Sequence, residues 1–264
     1  ADTTELTPAE LIQAILKAPV DLLWNGGIGT YVKASEEDHA EVGDRANNAI
    51  RINGADLRVR VVGEGGNLGF TQRGRVEAAL AGVQINTDAI DNSAGVDCSD
   101  HEVNIKILVD QLVSTGALEA QERARLLESM TEEVARLVLQ TNVDQNRLLR
   151  NDSQKVSEWL PSFERHIHWL EAHGDLDRAL EFLPDGAELK RRQQDGASLT
   201  TPELAVLAAY AKTNLSAVLL DAPAYQAGVN WSIIELLRLQ RDSAAYRGRA
   251  AIPRLSVVAG ASAG

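Results

Sequence analysis

The sequence is poor in cysteine and in basic residues. Cys98 is the only cysteine among 264 residues, so no disulfide can form within the chain, and this usage favours a reducing compartment, the cytoplasm. Basic residues number 26 against 38 acidic residues, which gives a formal net charge of -12. Because phosphate backbones attract basic surfaces, this balance argues against nucleic-acid binding.

Long apolar runs are also absent. The most apolar long segment, residues 204–220, is interrupted by Lys212 and Asn214 and is too polar for a membrane span, so no membrane partner is expected. The chain has no signal-peptide pattern. It begins with Ala1 rather than Met, and we therefore expect a processed product or an excised piece of a longer protein.

Clusters of metal-ligating or nucleophilic residues are missing as well. His166 and His168 lie in a helical pattern, where a separation of two residues places side chains on different faces. No Cys/His or multi-carboxylate group has the spacing of a metal site, so no metal is expected. Cys98 lacks an activating base and is interpreted as a small core residue. With no set of nucleophile, base and orienting group, we expect no catalytic residue in this chain.

The residues that are present predict strands and helices in alternation. Thr7 and Thr71 are placed to cap the helices that follow them, and the acidic residues after Ser35 predict a helix as far as Ile52. Strands are predicted at residues 20–24, 57–62 and 83–85. Alternation of this kind predicts βαβ units and a parallel sheet. From Glu102 onward the spacing of apolar residues is that of successive amphipathic helices.

A glycine-rich turn at residues 63–69 lies between a predicted strand and a predicted helix. Its spacing fails the dinucleotide pattern G-x-G-x-x-G, because Leu68 stands where the third glycine belongs. For the glycines alone, we favour a tight strand-to-helix turn that needs positive φ angles. Asn67 favours a binding role slightly, because its amide can donate and accept at the end of a parallel strand, where ligands bind.

A second polar segment lies at residues 92–102. Ser99 to Glu102 has the pattern of a capping box, which predicts Ser99 as the N-cap of a helix. A hydroxyl at a helix N-terminus is also suited to holding a carboxylate, and the two interpretations are compatible. Asn92, before Ser93, is consistent with a simple turn residue.

Together these two segments resemble the glutamate dehydrogenases. Glu64-Gly65-Gly66-Asn67 resembles the EGAN motif of that superfamily, and residues 92–102 resemble its NAGGV-x-x-S-x-x-E motif. Residues 24–106 resemble in particular the large bacterial NAD-specific glutamate dehydrogenases. Gly66 and Ser93 differ from the compact members, which have Ala at both positions.

The resemblance implies roles for individual residues. Asn67 would face the nicotinamide ribose and the substrate, Asn92 would hold the nicotinamide carboxamide or the backbone end of the substrate, and Ser99 would bind the side-chain carboxylate of glutamate. The cofactor-binding residues that it implies are Asn25, Gly26, Gly27, Gly65, Gly66, Asn67 and Asn92. The substrate-binding residues are Asn67, Asn92 and Ser99.

The resemblance also implies a reaction, the oxidative deamination of L-glutamate to 2-oxoglutarate with NAD as cofactor. The family's catalytic Lys and Asp and its substrate domain lie upstream of the position equivalent to Ala1. We therefore expect this chain to be inactive alone, with the upstream part of the same enzyme as a partner, in a homo-oligomer. A non-catalytic ligand-binding or scaffold module derived from the same fold is the alternative. An aliphatic amino-acid dehydrogenase is disfavoured by Ser99.

The expected fold is α/β, with a partial Rossmann-like parallel sheet followed by an all-helical C-terminal region. The expected domains are a partial dinucleotide-binding domain at residues 1–105, a helical region at 106–249 and a loose tail at 250–264.

Overall fold

The computed structural model describes residues 5–221. Residues up to 208 belong to one compact unit, and a second unit begins at Ala209. The predicted tail at 250–264 and the last part of the predicted helical region lie outside the described residues. Within the described part of the chain, no helix is long and apolar enough to cross a membrane.

The described residues form short strands and mostly longer helices. The strands are β1 Leu22–Asn25, β2 Val32–Lys33, β3 Ile52–Asn53 and β4 Val61–Glu64. The α-helices are α1 Pro8–Leu16, α2 His39–Val42, α3 Gln72–Leu80, α4 Asp88–Asp91, α5 Ser93–Ser114, α6 Glu122–His173, α7 Gly186–Gln194 and α8 Thr201–Asp221. Two short 3-10 turns occupy Arg45–Asn47 and Gly54–Asp56.

All strand pairing within the described residues is parallel, as predicted. β1 pairs with β4, with Leu22 opposite Val61 and Asn25 opposite Glu64. β2 pairs with β3 in a second small sheet. The predicted third strand at 83–85 is reduced to a single bridge, in which Gln84 lies beside Val61. An α/β fold is confirmed at this level, with helix as the larger component.

The two predicted threonine caps are confirmed. Thr7 accepts a hydrogen bond from the N–H of Glu10, and the Glu10 carboxylate accepts one from the N–H of Thr7, so α1 begins with a capping box. Thr71 accepts from the N–H of Gly74 and caps α3. Local side-chain to backbone bonds of this kind depend little on the rest of the fold.

The predicted helix between Ser35 and Ile52 is wrong. Asp38 caps only the four-residue α2, which ends where Gly43 adopts a left-handed conformation with φ 76°. Arg51 then fixes the following segment, because its buried guanidinium donates to the backbone oxygens of Thr30 (2.8 Å) and Asp44 (2.5 Å). These long-range bonds replace the helix, and Ile52 begins β3 instead.

The predicted strands are displaced or only half buried. The second strand is predicted at 57–62 but is found at 61–64, after a 3-10 turn at residues 54–56 and four residues without regular structure. β1 was expected to be buried, yet Leu22 is 54% exposed and Trp24 60% exposed. The core lies on the opposite face of the sheet and includes Val32, Ile52, Leu57, Val59, Val62, Phe70, Ala78, Val83 and Ile85.

The helical half begins earlier and has fewer breaks than predicted. α5 already begins at Ser93, and α6 is one helix of 52 residues that contains Pro161. α8 begins at a buried charge cluster, in which the Glu203 carboxylate accepts from the N–H of Thr200 at 2.6 Å and pairs with Arg192 at 2.9 Å. Burial raises the pKa of Glu203, and the charge of Arg192 opposes that rise.

The ion pairs of α7 make stability depend on pH. Hydrogen bonds from Arg191 and Arg192 lower the pKa of Glu188 from 4.5 to about 2. A carboxyl with a lowered folded-state pKa stabilises the fold above its unfolded pKa, and this stabilisation is lost as the pH falls through the folded value. We expect Glu188→Gln to lower the free energy of unfolding at neutral pH, with a smaller loss between pH 4.5 and about 2. Urea unfolding of the wild type and the variant, at neutral pH and within this acidic range, measures the loss; an equal loss under both conditions would contradict the prediction.

Candidate functional site

Two glycine-containing turns follow the ends of two neighbouring parallel strands and lie side by side. Asn25 and Glu64 end β1 and β4 in register, so the turns that follow them meet. A Cβ atom on Gly66 would lie 2.4 Å from the backbone oxygen of Gly27, and one on Gly65 would lie 2.5 Å from the indole of Trp24. The glycines therefore permit close approach of the two turns.

Positive φ angles are not the reason for the glycines at 63, 65, 66 and 69, so that interpretation is wrong. The residue in this turn with a positive φ is Leu68, at 58°. A left-handed conformation is unfavourable for a side chain of this kind.

The first turn is organised by Asn25. Its backbone oxygen accepts a hydrogen bond from the N–H of Gly66 at 3.0 Å, and its Oδ1 accepts one from the N–H of Gly27 at 3.4 Å. Its Nδ2 is buried against Gly69 and has no hydrogen-bond partner within residues 5–221. Asn25 thus joins the two turns and retains one unused donor.

The structure brings Asn67 and Asn92 into direct contact. The Nδ2 of Asn92 donates to the Oδ1 of Asn67 at 2.6 Å. Neither the Nδ2 of Asn67 nor the Oδ1 of Asn92 bonds to any other described residue. The pair therefore presents one donor group and one acceptor beside the glycine turns.

Ser99 does not begin a helix, and that prediction is wrong. Asn92 is the residue before α5, which places Ser99 nearly two turns inside the helix. Glu102, the supposed partner in the capping box, pairs with Lys106 instead. The first residue of α5 is held by another helix, because Asn142 of α6 donates to the Oγ of Ser93 at 2.9 Å.

Ser99 nevertheless lies on the same side of α5 as Asn92. A separation of seven residues is close to two full helical turns, or about 10 Å along the axis. Ser99 is exposed, and no hydrogen bond joins it to Asn67 or Asn92 in the described structure. Its neighbour Cys98, expected in the core, is also exposed.

A buried ion pair beneath the second turn was not predicted. Arg75 of α3 binds the Glu64 carboxylate through two hydrogen bonds, of 2.7 and 3.0 Å. The Glu64 side chain is fully buried and that of Arg75 is 6% exposed. Burial raises the pKa of Glu64, and the hydrogen bonds and charge of Arg75 oppose that rise. The sequence signal was an acidic residue at the end of a strand, with an arginine eleven positions later.

The groups at the two turns fit the neutral part of a nicotinamide dinucleotide. They are amides and backbone atoms at glycines, and residues 25–27, 64–69 and 92 include no basic side chain that could neutralise phosphate. Among the residues that the structure describes, no group of His, Cys, Asp and Glu could hold a metal ion.

The other face of the β1–β4 sheet is open. Leu22, Trp24 and Val61 line a groove of about 1080 Å³ whose far wall includes Asn146 and Leu149 of α6. Trp24 is 60% exposed and Val61 38% exposed. An apolar sheet face of this kind is normally covered by another layer of structure.

Comparison with known proteins defines the class to which this fold and site belong. A family model described as "Bacterial NAD-glutamate dehydrogenase, catalytic domain" matches residues 1–152, which include both turns and Ser99. The chain belongs to this family.

Individual relatives agree with this assignment. The chain is 57% identical over 211 residues to the NAD-specific glutamate dehydrogenase of Mycobacterium tuberculosis, covering 80% of this chain. It is 56% identical to that of Halomonas elongata over 83% of the chain, and 54% identical to that of Pseudomonas aeruginosa over 82%. The match covers only 13–14% of the length of these curated relatives.

The buried ion pair makes a testable contribution to stability. Replacing Arg75 by alanine leaves the Glu64 carboxylate buried without a counter-charge, so we expect Arg75→Ala to lower the free energy of unfolding by about 3–5 kcal/mol. The matched control is Arg60→Ala, which removes an exposed pair with Asp21 and should cost about 0–1 kcal/mol. Urea unfolding measures both, and equal losses would show that the Glu64 pair has no special role.

Proposed function

We propose that this chain is part of a longer NAD-dependent glutamate dehydrogenase, which converts L-glutamate and NAD to 2-oxoglutarate, ammonia and NADH. The observation that carries the proposal is the amide pair of Asn67 and Asn92, which are 2.6 Å apart at the carboxyl end of β4. Ligands of parallel α/β sheets bind at this end of the strands. The names of the relatives support the choice of reaction.

The proposed cofactor set combines the two turns with the amide pair. Its members are Asn25, Gly26, Gly27, Gly65, Gly66, Asn67 and Asn92. NAD, when bound, accepts the hydride that leaves the α-carbon of the substrate. The free donor and acceptor of the amide pair match the carboxamide of nicotinamide, which has one group of each kind.

The proposed substrate set is Asn67, Asn92 and Ser99. The amide pair would contact the backbone end of glutamate, and the exposed Ser99 hydroxyl would donate to its side-chain carboxylate. The spacing of about 10 Å along α5 supports contact with opposite ends of one dicarboxylic amino acid. A site built around a hydroxyl also rejects apolar side chains, because the hydroxyl would lose its partner.

In this scheme the chain positions the reactants, and the proton-transfer groups come from elsewhere in the enzyme. Holding nicotinamide and substrate in the reactive geometry can itself contribute about 7–11 kcal/mol to lowering a barrier. The family's catalytic Lys and Asp are expected upstream of Ala1, so none of the catalytic residues is assigned to this chain.

We propose that the small sheet belongs to a partial Rossmann-like domain at residues 1–105, followed by a helical region at 106–249 and a tail at 250–264. Within residues 5–221, β1 pairs only with β4, so its other edge is free to add a strand. The exposed Leu22, Trp24 and Val61 provide the surface on which upstream parts of the polypeptide would pack. The assembled enzyme is proposed to be a cytoplasmic homo-oligomer.

The proposed division of the enzyme can be tested by its activity. The purified 264-residue chain is expected to form no NADH from glutamate and NAD, because it lacks the proton-transfer groups, whereas the full-length protein should form NADH. Absorbance of NADH at equal molar concentrations measures both. Turnover by the chain alone would overturn the assignment of catalysis to the upstream part. An inactive full-length protein would favour the alternative, a non-catalytic ligand-binding or scaffold module.

The proposed role of Ser99 can be tested by selectivity. In the full-length enzyme, Ser99→Val should raise the KM for glutamate and shift the preference towards apolar amino acids by about tenfold or more, because a hydroxyl that binds the carboxylate is lost. Ser129→Val, at an exposed serine of α6, is the matched control and should leave selectivity unchanged. Steady-state kinetics with glutamate and leucine measure the shift. Unchanged selectivity in Ser99→Val would remove Ser99 from the substrate set.

A further inference from the structure

The turn that carries Asn67 is held at both ends by one short helix. α4 has an aspartate at its first position, Asp88, and another at its last, Asp91. The Oδ2 of Asp91 accepts from the N–H of Glu64 at 2.9 Å, and the Oδ2 of Asp88 accepts from the N–H of Leu68 at 2.8 Å. The backbone on either side of residues 65–67 is therefore fixed to the same four residues.

Asp88 binds the residue of this turn that has the least favourable backbone conformation. Leu68 has a φ of 58°, a left-handed conformation that its side chain disfavours. The N–H of Leu68 is bound by Asp88, and its carbonyl oxygen accepts from the Oγ1 of Thr30 at 2.8 Å. Both polar groups of the strained residue are thus fixed by side chains from other parts of the chain.

Asp88 is itself oriented by the ion pair beneath the turn. Its Oδ1 lies 3.1 Å from a guanidinium nitrogen of Arg75, which also binds Glu64, and its side chain is 16% exposed. One carboxylate oxygen therefore faces the arginine and the other faces the turn. This leaves little freedom for the carboxylate to rotate away from Leu68.

The same helix is followed directly by Asn92, the second asparagine of the amide pair. Asn92 follows Asp91 directly, its N–H donates to the backbone oxygen of Asp88 at 2.9 Å, and its side chain meets Asn67. α4 thus holds the turn of Asn67 with its carboxylates and presents Asn92 at its end.

We propose that Asp88 is a positioning residue of the nicotinamide and substrate site, acting through the N–H of Leu68 to hold Asn67 against Asn92. Asp88 touches neither reactant in this scheme. The inference rests on the proposed function of the amide pair, but the bond from Asp88 to the turn can be tested without it.

The experiment compares Asp88→Ala with Asp88→Asn in the full-length protein. Alanine removes the acceptor for the N–H of Leu68. Asparagine keeps one side-chain oxygen for that N–H, but it loses the charge and turns its amide nitrogen towards Arg75. We expect Asp88→Ala to lower kcat/KM by about tenfold to a hundredfold, because a displaced positioning group is costly, and Asp88→Asn to stay within about threefold of the wild type. Asp144→Ala, which removes an exposed pair with Arg147, is the control and should leave kinetics unchanged.

Kinetics are measured on folded protein, well below each variant's thermal midpoint. A lower midpoint for Asp88→Ala with unchanged kcat and KM would overturn the proposal, since Asp88 would then be only structural. Equal kinetic losses in Asp88→Ala and Asp88→Asn, with normal hydrogen exchange at residues 65–70 in Asp88→Asn, would also overturn it, because the charge of Asp88 and its pair with Arg75, and not the bond to Leu68, would then be responsible.

Hydrogen exchange separates this inference from the proposed function. Exchange of a peptide covering residues 65–70 should be faster in Asp88→Ala than in the wild type and nearly normal in Asp88→Asn. If the wild type shows no glutamate-dependent NADH formation but exchange follows this order, the proposed reaction fails and the bond to the turn stands. If activity is present and exchange does not change in Asp88→Ala, the positioning role fails alone.

Discussion

The buried ion pair between Glu64 and Arg75 is the interaction on which the arrangement of the two turns depends. Glu64 ends β4 opposite Asn25, and its Oε1 also accepts from the N–H of Phe70 at 3.2 Å, on the far side of the turn. The carboxylate therefore closes the base of the turn that carries Asn67. Because a charge without a partner is unfavourable in an apolar interior, the position of the turn is coupled to the stability of the whole unit.

The long helix α6 contributes to the same region from far along the chain. Asn142 donates to the backbone oxygen of Ile90 at 2.8 Å and to Ser93, and the Oδ1 of Asn146 accepts from Asn86 at 3.0 Å. These amide bonds hold the junction of α4 and α5, where Asn92 lies. The helical half thus helps to position Asn92 of the amide pair, and it is not only an addition to the sheet.

Local signals in the sequence predicted some features well. The caps at Thr7 and Thr71 depend on neighbours three residues away, and parallel pairing followed from the alternation of strands and helices. The helix predicted at residues 35–52 was wrong because Arg51 binds the backbone oxygen of Thr30, a contact that no local pattern reveals. The capping pattern at Ser99 predicts a helix start there, but α5 already begins at Ser93, where Asn142 of α6, about fifty residues further on, makes a contact that no local pattern reveals. Contact between Asn67 and Asn92 agreed with the motifs, but the carboxylates that hold the turn could not be assigned without coordinates.

The exposed indole of Trp24 restricts how this region can change. A Cβ atom at Gly63 would lie 2.6 Å from the ring, and one at Gly65 would lie 2.5 Å from it, so the indole lies against bare backbone on the adjoining strand. A side chain at either glycine would displace the indole, and losing the ring alone would remove a contact of both glycines. Positions 24, 63 and 65 should therefore covary among homologues and resist single-step replacement.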